Sequence, residues 1–348
     1  MLLLTRLFLR IVHMNNRSVI LVSVLFILLT SGLAYALEPD VFGTYFNGFW
    51  WVMTTVTTVG YGDFYPHTVP GKCLGIVVYI FGIGLISITI SKVVEALFFY
   101  QRRKEEGKLR YTGEQHVVII DWSKNAELAI QEILNTDAQT DIVLIDTLEK
   151  TPIQHERVHY IQGNPVHHQT LELANLSRAR AVMIFADEVT RYQNVVRDSS
   201  FIDGKTLLVA TAIERGYSHV HTIAEIKDRE NLPNFEHVQI NEFILSNDTV
   251  SQLAVRAAFH PGTTKLLSQL LTHQDGEDLY EVAKRESWVT FRDAFLDLLN
   301  QGATLISDGT DLAINRRMEE PIPPNARLFV ICSRETYRTL TRDSSGSA

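Results

Sequence analysis

Two long apolar runs without a charge open the chain. Ser18–Leu37 is twenty residues long and 73–90 is eighteen. At about 1.5 Å per helical residue, twenty residues cover about 30 Å, the hydrocarbon thickness of a bilayer. Both runs read as membrane-spanning helices, and apolar character resumes over 93–100. Ahead of them, Leu2, Leu3, Leu4, Leu7, Phe8 and Ile11 are interleaved with Arg6 and Arg10, the pattern of a short interfacial amphipathic helix within 1–17. From residue 116 the period changes. Short apolar runs at 116–121, 141–146, 158–161, 181–186 and 220–226 alternate with stretches of helical spacing, such as 126–134, 170–176, 205–215 and 249–259. Strands apolar throughout and separated by helices predict an α/β doubly wound parallel sheet covered on both faces. A smaller α/β lobe over 261–333 shows strand-like runs at 280–283, 304–307 and 328–332 and a helix at 291–299. Residues 334–348 read as a flexible tail.

Charge sharpens the division. Residues 1–110 carry ten Lys/Arg and six Asp/Glu, net +4; the whole chain is −8, so 111–348 is −12. An acidic body excludes nucleic acid as a partner, since phosphate binding needs a basic surface. Arg6, Arg10 and Arg17 precede the first span; Arg102, Arg103, Lys104, Lys108 and Arg110 follow the second; Lys72 is the only cation in 38–72. By the positive-inside rule both termini are cytoplasmic in a multi-pass cell-membrane protein, with 38–72 outside. Ala34-Tyr35-Ala36 has the form of a signal-peptidase site, but the run is longer than a usual signal core, and an uncleaved span is expected. Two cysteines, Cys73 and Cys332, make neither a disulfide framework nor a zinc site.

The loop between the spans carries the most specific signal. An aromatic, threonine-rich segment at 46–57 contains Trp50 and Trp51 and suits a short re-entrant helix. It leads into Thr58-Val59-Gly60-Tyr61-Gly62-Asp63. Irregular backbone at membrane depth is tolerated where it lines a cavity. Gly60 and Gly62 permit backbone angles that let successive carbonyls turn the same way and replace the water around an ion. Thr-Val-Gly-Tyr-Gly is the selectivity-filter signature of potassium channels. In this position, it makes residues 18–100 resemble the two-span potassium channels: an α-helical membrane pore of two spans plus a pore helix. The resemblance implies potassium ions held by Thr58, Val59, Gly60 and Tyr61, with Gly62 permitting the geometry, Asp63 at the outer mouth, and a homotetramer around one ion path. In the second span, Gly82 and Gly84 suit either helix packing or a bend; the resemblance makes Gly84 the gating hinge. Glu95 lies toward the inner mouth, either as a cation-concentrating charge or as an ion-pair partner of Lys92.

Residues 101–115 read as a linker that continues the inner helix. Beyond it, residues 116–123 (His-Val-Val-Ile-Ile-Asp-Trp-Ser), Gly163-Asn164-Pro165, residues 180–184 (Arg-Ala-Val-Met-Ile), Ile223-Ala224-Glu225 and Arg229-Glu230-Asn231 together resemble the RCK domain, the regulator of potassium conductance. The resemblance divides 116–333 into a Rossmann-like N-terminal domain, 116–260, and a C-terminal lobe, 261–333. It implies paired cytoplasmic domains whose ligand controls the inner gate, in a ring of four or eight.

This chain departs from the family at both known ligand sites. A dinucleotide loop needs glycines for close approach to pyrophosphate; Asp121, Ser123 and Ala126 stand there instead. Asp146 ends the second strand, where an acid could hold a ribose or cap the following turn. NAD is therefore not expected. Of the carboxylates that calcium-gated relatives collect, Phe185 and Lys227 take two positions, leaving Glu225, with Asp187 and Glu188 displaced; a hard cation wants several oxygens, so calcium is not expected either. His167 and His168 are adjacent and share no helix face, which suits surface rather than metal. No nucleophile–base pair stands out, and the chain is not read as an enzyme. A membrane-tethered nucleotide-binding oxidoreductase is opposed by the missing glycines. A transport accessory subunit leaves the filter motif unexplained. The expectation is a potassium-selective channel with an unidentified regulatory ligand.

Overall fold

The computed structural model describes residues 16–186, 188, 198–271 and 276–345. Of the interfacial helix expected over 1–17, residues 1–15 lie outside the described residues, as does Asp187, while 16 and 17 open the next helix. The chain divides into two units, Met1–Glu105 and Glu106–Ala348.

The first unit contains helices α1 (Asn16–Leu37), α2 (Pro39–Phe42), α3 (Tyr45–Val56) and α4 (Val69–Glu105). Helices α1 and α4 are each long and apolar enough to cross a membrane. Helix α3 is launched by Thr44, whose side chain accepts the Asn47 N–H. It lies close against α1, because a Cβ on Gly48 would come within 2.8 Å of the Ser31 carbonyl oxygen. Ala34, Phe42, Trp51, Val52, Val56 and Val78 form the shared core. Helix α4 is interrupted by a π-helical turn at Val78–Gly82, a local widening common at functional positions. Gly82 faces Val56, leaving no room for a side chain, whereas Gly84 has open space where its Cβ would be.

In the second unit the chain does not continue α4 as expected. The helix stops at Glu105, and the following residues form an extended strap. Gly107, at φ +64°, accepts the Gln162 N–H at 3.0 Å. The Leu109 carbonyl accepts His159 Nε2 at 2.8 Å. Tyr111 N–H donates to Leu173 O, its hydroxyl donates to Asp141 Oδ2, and Gln115 N–H donates to Arg178 O. A glycine with a left-handed angle ends the helix, and the sheet edge offers hydrogen bonds that a further turn would lack.

Strands β1 (Val117–Ile120), β2 (Ile142–Asp146), β3 (Val158–Gln162), β4 (Ala181–Ile184), β5 (His221–Ile226) and β6 (Glu242–Leu245) form one parallel sheet in the order β3-β2-β1-β4-β5-β6. Between them run α5 (Lys124–Thr136), α6 (His168–Leu173) and α7 (Ser199–Tyr217). One face buries Val118, Ile120, Val143 and Ile145 against Leu171, Val209 and Ile213; the other buries Val117, Ile119, Ile142 and Leu144 against Ala126 and Ile130. Each such side chain contributes about 1.5–3 kcal/mol relative to exposure, which is why these strands carry no alternation. Strand β6 escaped the sequence reading: it is a short, largely exposed edge strand. The order reverses between β1 and β4, which opens a crevice at the carboxyl ends of those strands.

Helices α8 (Ser246–Phe259) and α9 (Thr263–Leu271) follow. The C-terminal lobe is an antiparallel sheet, β7 (Asp278–Val282), β9 (Leu328–Cys332) and β8 (Thr304–Asp308) in that order, with α10 (Phe291–Asn300) packed on it. Thr290 and Asp293 close a capping box at the start of α10. The flexible tail is corrected: Arg334–Ser345 form a helix, α11, with Tyr337 stacked on Tyr280 at 4.2 Å and Leu340 buried. The polar composition of 334–345 concealed two apolar anchors placed three residues apart, on one helix face.

Candidate functional site

The loop after α3 is held from behind. Thr58 N–H donates to Thr55 O, and the amides of Val59 and Gly60 both donate to Thr54 O, at 2.9 and 3.0 Å. The N–H groups of these three residues are thereby turned back toward α3. Thr58, Gly60 and Gly62 have φ of +62°, +55° and +76°, and the residues between them, Val59 and Tyr61, do not have positive φ. Reversing the sign at every second residue cancels the rotation that would carry carbonyls round a helix, an arrangement that favours aligned oxygens. The glycines adopt these angles without strain; Thr58, β-branched, does so at a cost of about 1–2 kcal/mol. That strained threonine is not readable from the motif.

Two braces fix the loop. The Trp50 indole N–H donates to Asp63 Oδ2 at 2.8 Å, and its ring stacks on Tyr61 with centroids 5.8 Å apart and planes 3° from parallel. At the far end, Glu38 is buried and accepts the His67 N–H at 2.8 Å, the Thr68 N–H at 3.0 Å and the Thr68 hydroxyl at 2.6 Å. Thr68 in turn caps α4 through Gly71 N–H. A Cβ on Gly71 would run into Glu38. Glu38 was missed in the sequence reading; its signal is an acid placed directly after twenty uncharged residues. Toward the other end of α4, Glu95 is exposed and pairs with Lys92 at 2.8 Å, so the ion-pair arrangement is the one observed.

In the crevice of the doubly wound sheet, Asp121 follows β1 at φ +67° and is buried, its carboxylate 3.0 Å from Lys205 of α7. The left-handed angle of a glycine loop persists although glycine does not. Ser123 caps α5 by accepting the Ala126 N–H. Asp146 accepts Trp122 N–H at 2.6 Å and Leu148 N–H at 2.9 Å, the turn-capping arrangement. On β5, buried Glu225 accepts Asn125 Nδ2, Ala186 N–H and Lys227 Nζ at 2.9, 3.0 and 3.1 Å. Lys227 also reaches Glu188 at 3.0 Å. Burial alone would lower the Lys227 pKa, but its bonds to Glu188 and Glu225 outweigh burial and raise it above the ordinary lysine value. The Lys227 N–H donates to buried Asp203, which fixes its backbone. Phe185 packs beside the α5 face of the sheet and offers no oxygen. Among the described residues, no group of three or more His, Cys, Asp or Glu could hold a metal ion. His168 lies against Tyr217, its Nδ1 3.2 Å from the hydroxyl, while His167 precedes α6.

Comparisons with known proteins agree with this division. An ion-channel family profile matches residues 22–99 and the TrkA-N domain profile matches 117–246. The potassium channel protein YugO of Bacillus subtilis is 32% identical over 227 residues, 65% of this chain and 67% of that protein. The calcium-gated potassium channel TvoK of Thermoplasma volcanium is 25% identical over 238 residues, 68% of this chain and 67% of that protein. The solved GsuK channel aligns over 70% of this chain and 64% of its own at 15% identity and a TM-score of 0.49, too slight a likeness to argue from. The relatives are ion channels rather than enzymes, and a pore unit followed by a doubly wound unit places the chain among the potassium channels that carry a cytoplasmic RCK (TrkA-N) domain.

Proposed function

We propose that four copies of this chain surround one pore in the cell membrane, with both termini cytoplasmic, and pass potassium in preference to sodium. The carrying observation is the alternation of φ over Thr58, Val59, Gly60, Tyr61 and Gly62, with the amides of Thr58, Val59 and Gly60 tied to α3. Carbonyls aligned on one side can stand in for the hydration shell of an ion only if other chains complete the ring. Asp63 sits at the outer mouth. Opening bends α4 near Gly84, two residues past the π-helical turn, where open space surrounds the glycine. Glu95 lines the inner mouth as a partner of Lys92.

The cytoplasmic domains work in pairs. Val250, Val255 and Phe259 of α8 and Leu266 and Leu271 of α9 are all exposed in a single chain and suit burial against a second domain. The regulatory ligand is neither NAD nor calcium at the sites those ligands use in relatives. Asp121 sets a carboxylate where pyrophosphate would approach, and Lys227 sets an ammonium against Glu225. The test is ion flux into vesicles holding the purified full chain. Potassium uptake well above sodium uptake is expected, and it should vanish in Gly60→Ala, whose methyl opposes a φ of +55°. Flux without potassium preference would sink the filter assignment.

A further inference from the structure

The stretch of α4 just past Gly84 carries three hydroxyls at alternate positions. Ser87, Thr89 and Ser91 each donate to the carbonyl four residues back, on Ile83, Leu85 and Ser87, at 2.8, 2.9 and 3.0 Å. Hydroxyls that bond back in this way compete with the helix's own amides and let it bend. With the π-helical turn at Val78–Gly82 and Gly84 itself, they make 78–91 a weak stretch in a helix that runs from Val69 to Glu105.

Ser87 and Ser91 are exposed, but Thr89 is turned toward α1. Its Oγ1 lies 2.9 Å from the Oγ of Ser23, which is buried. A hydroxyl has one proton to donate, and that of Thr89 goes to the Leu85 carbonyl. Across the helices, therefore, Ser23 is the donor and Thr89 the acceptor. In the single chain no residue from Ile83 to Glu105 is buried, so apolar packing grips this half of α4 weakly, and a polar tie to α1 weighs more.

Position decides what the pair can do. Thr89 is five residues beyond Gly84, about 7.5 Å along the axis. A bend of about 20° at the glycine carries it sideways by about 2.6 Å. That parts two oxygens that bond only within about 3 Å. The pair suits α4 as it stands and not α4 bent away from α1.

We propose that Ser23 is a gate-positioning residue: its hydroxyl, bonded to Thr89, is a catch that ties the inner half of α4 to α1 and must release before α4 bends at Gly84. The inference rests on the channel reading above and gives α1 a part in gating.

The full chain is reconstituted in planar bilayers and its open probability is measured. Ser23→Ala removes only the donor and should raise open probability, about threefold for each bond broken, the usual size for polar pairs between membrane helices. In a Thr89→Val background, where the acceptor is gone, the same substitution should change nothing. In Thr89→Ser or Ser91→Ala backgrounds, where the acceptor remains, it should act as in wild type. An open probability unchanged or lowered by Ser23→Ala, or an equal effect of Ser23→Ala with and without Thr89→Val, would overturn the proposal. The variant combining Ser23→Cys and Thr89→Cys reads the contact itself. Oxidation with copper phenanthroline should join positions 23 and 89, seen by peptide mass spectrometry, and stop the potassium current. Dithiothreitol should restore it, and neither single variant should lose current. Absence of the cross-link, or a cross-linked channel that opens normally, would equally remove the catch. A wild-type protein without potassium current would end the channel reading and this inference together; every other outcome touches this inference alone.

Discussion

The Trp50 indole nitrogen sits 2.8 Å from Asp63 Oδ2, joining the helix before the Thr-Val-Gly-Tyr-Gly loop to the residue that ends it. One hydrogen bond thereby closes a loop whose middle contains a strained threonine. A bond to a charged acceptor is worth about 1.5–3 kcal/mol when sheltered and less where water competes, as at these exposed side chains. Trp50→Phe keeps a ring to stack on Tyr61 and removes only the donor. Its tetramer should elute normally in gel filtration while potassium flux from vesicles falls several-fold or decays with time. Wild-type flux in this variant would show the bond to be incidental.

Nucleotide binding tests the crevice. Asp121 keeps the left-handed angle of a glycine loop but points its charge inward to Lys205. Calorimetric titration of the full chain with NAD or NADH should give no binding at micromolar concentration. Asp121→Gly relieves an unfavourable backbone angle and removes the repulsion, so any nucleotide affinity should rise in that variant. Micromolar affinity in wild type would contradict the inference.

The two sites were unequally legible. The filter was readable because Thr58 to Asp63 combine a motif with a location between two uncharged runs. The doubly wound sheet was readable because β1 and β2 are buried on both faces and so apolar over 117–120 and 142–145. Glu38 was not, because its partners, the backbone amides of His67 and Thr68 and the Thr68 hydroxyl, lie about thirty positions away, and two of the three are backbone donors that leave no trace in composition. The strap at 107–115 was read as helix for a similar reason: charged residues suit a solvated helix, and only the Gly107–Gln162 bond reveals the turn onto the sheet. The roles of Lys205 and Asn125 depend on residues brought from distant elements.

Lys227 should matter to stability and to cation response together. Its ammonium balances Glu225, which is 2% exposed. Lys227→Met leaves that carboxylate without its ion pair, costing about 3 kcal/mol and lowering the thermal midpoint by roughly 6–12 °C. Calcium should leave wild-type flux unchanged. If calcium opens the channel and Glu225→Gln abolishes the response, the assignment of Lys227 fails.

Acid should weaken the cytoplasmic unit through His116. The ring is fully buried, with Nε2 3.0 Å from the Ala174 carbonyl oxygen and Nδ1 without a partner. Tyr111 packs on it at 4.5 Å, and His159 and Asp141 add fields of opposite sense. Burial lowers its pKa below the ordinary 6.5. The unfolded chain therefore takes up the proton first, so the contribution to stability is full above pH 6.5 and is lost as pH falls toward the depressed value. Thermal midpoints measured on acidification should fall more steeply in wild type than in His116→Gln. Parallel slopes would exclude His116 as the titrating group.

The last prediction concerns how many doubly wound domains regulate one pore. Each chain supplies one such domain, so four chains give a ring of four unless another tetramer, a separate protein or soluble copies of this chain complete a ring of eight. Soluble copies made from the same message need an internal start between the pore and β1. The methionines are at 1, 14, 53, 183 and 318. None lies between Asp63 and His116, and Met183 lies inside β4, which pairs with β1 near the middle of the sheet. A chain begun there would lack β1, β2 and β3 and leave the apolar faces of β4 and β5 uncovered, so it would not fold as a domain. A methionine start within these residues therefore yields no intact soluble copy, and the native coding sequence with a C-terminal tag should give a single species on denaturing gels, that of the whole chain. A second band in comparable amount at about two thirds of that mass, beginning near residues 105–116, would mean initiation at another codon and a ring of eight.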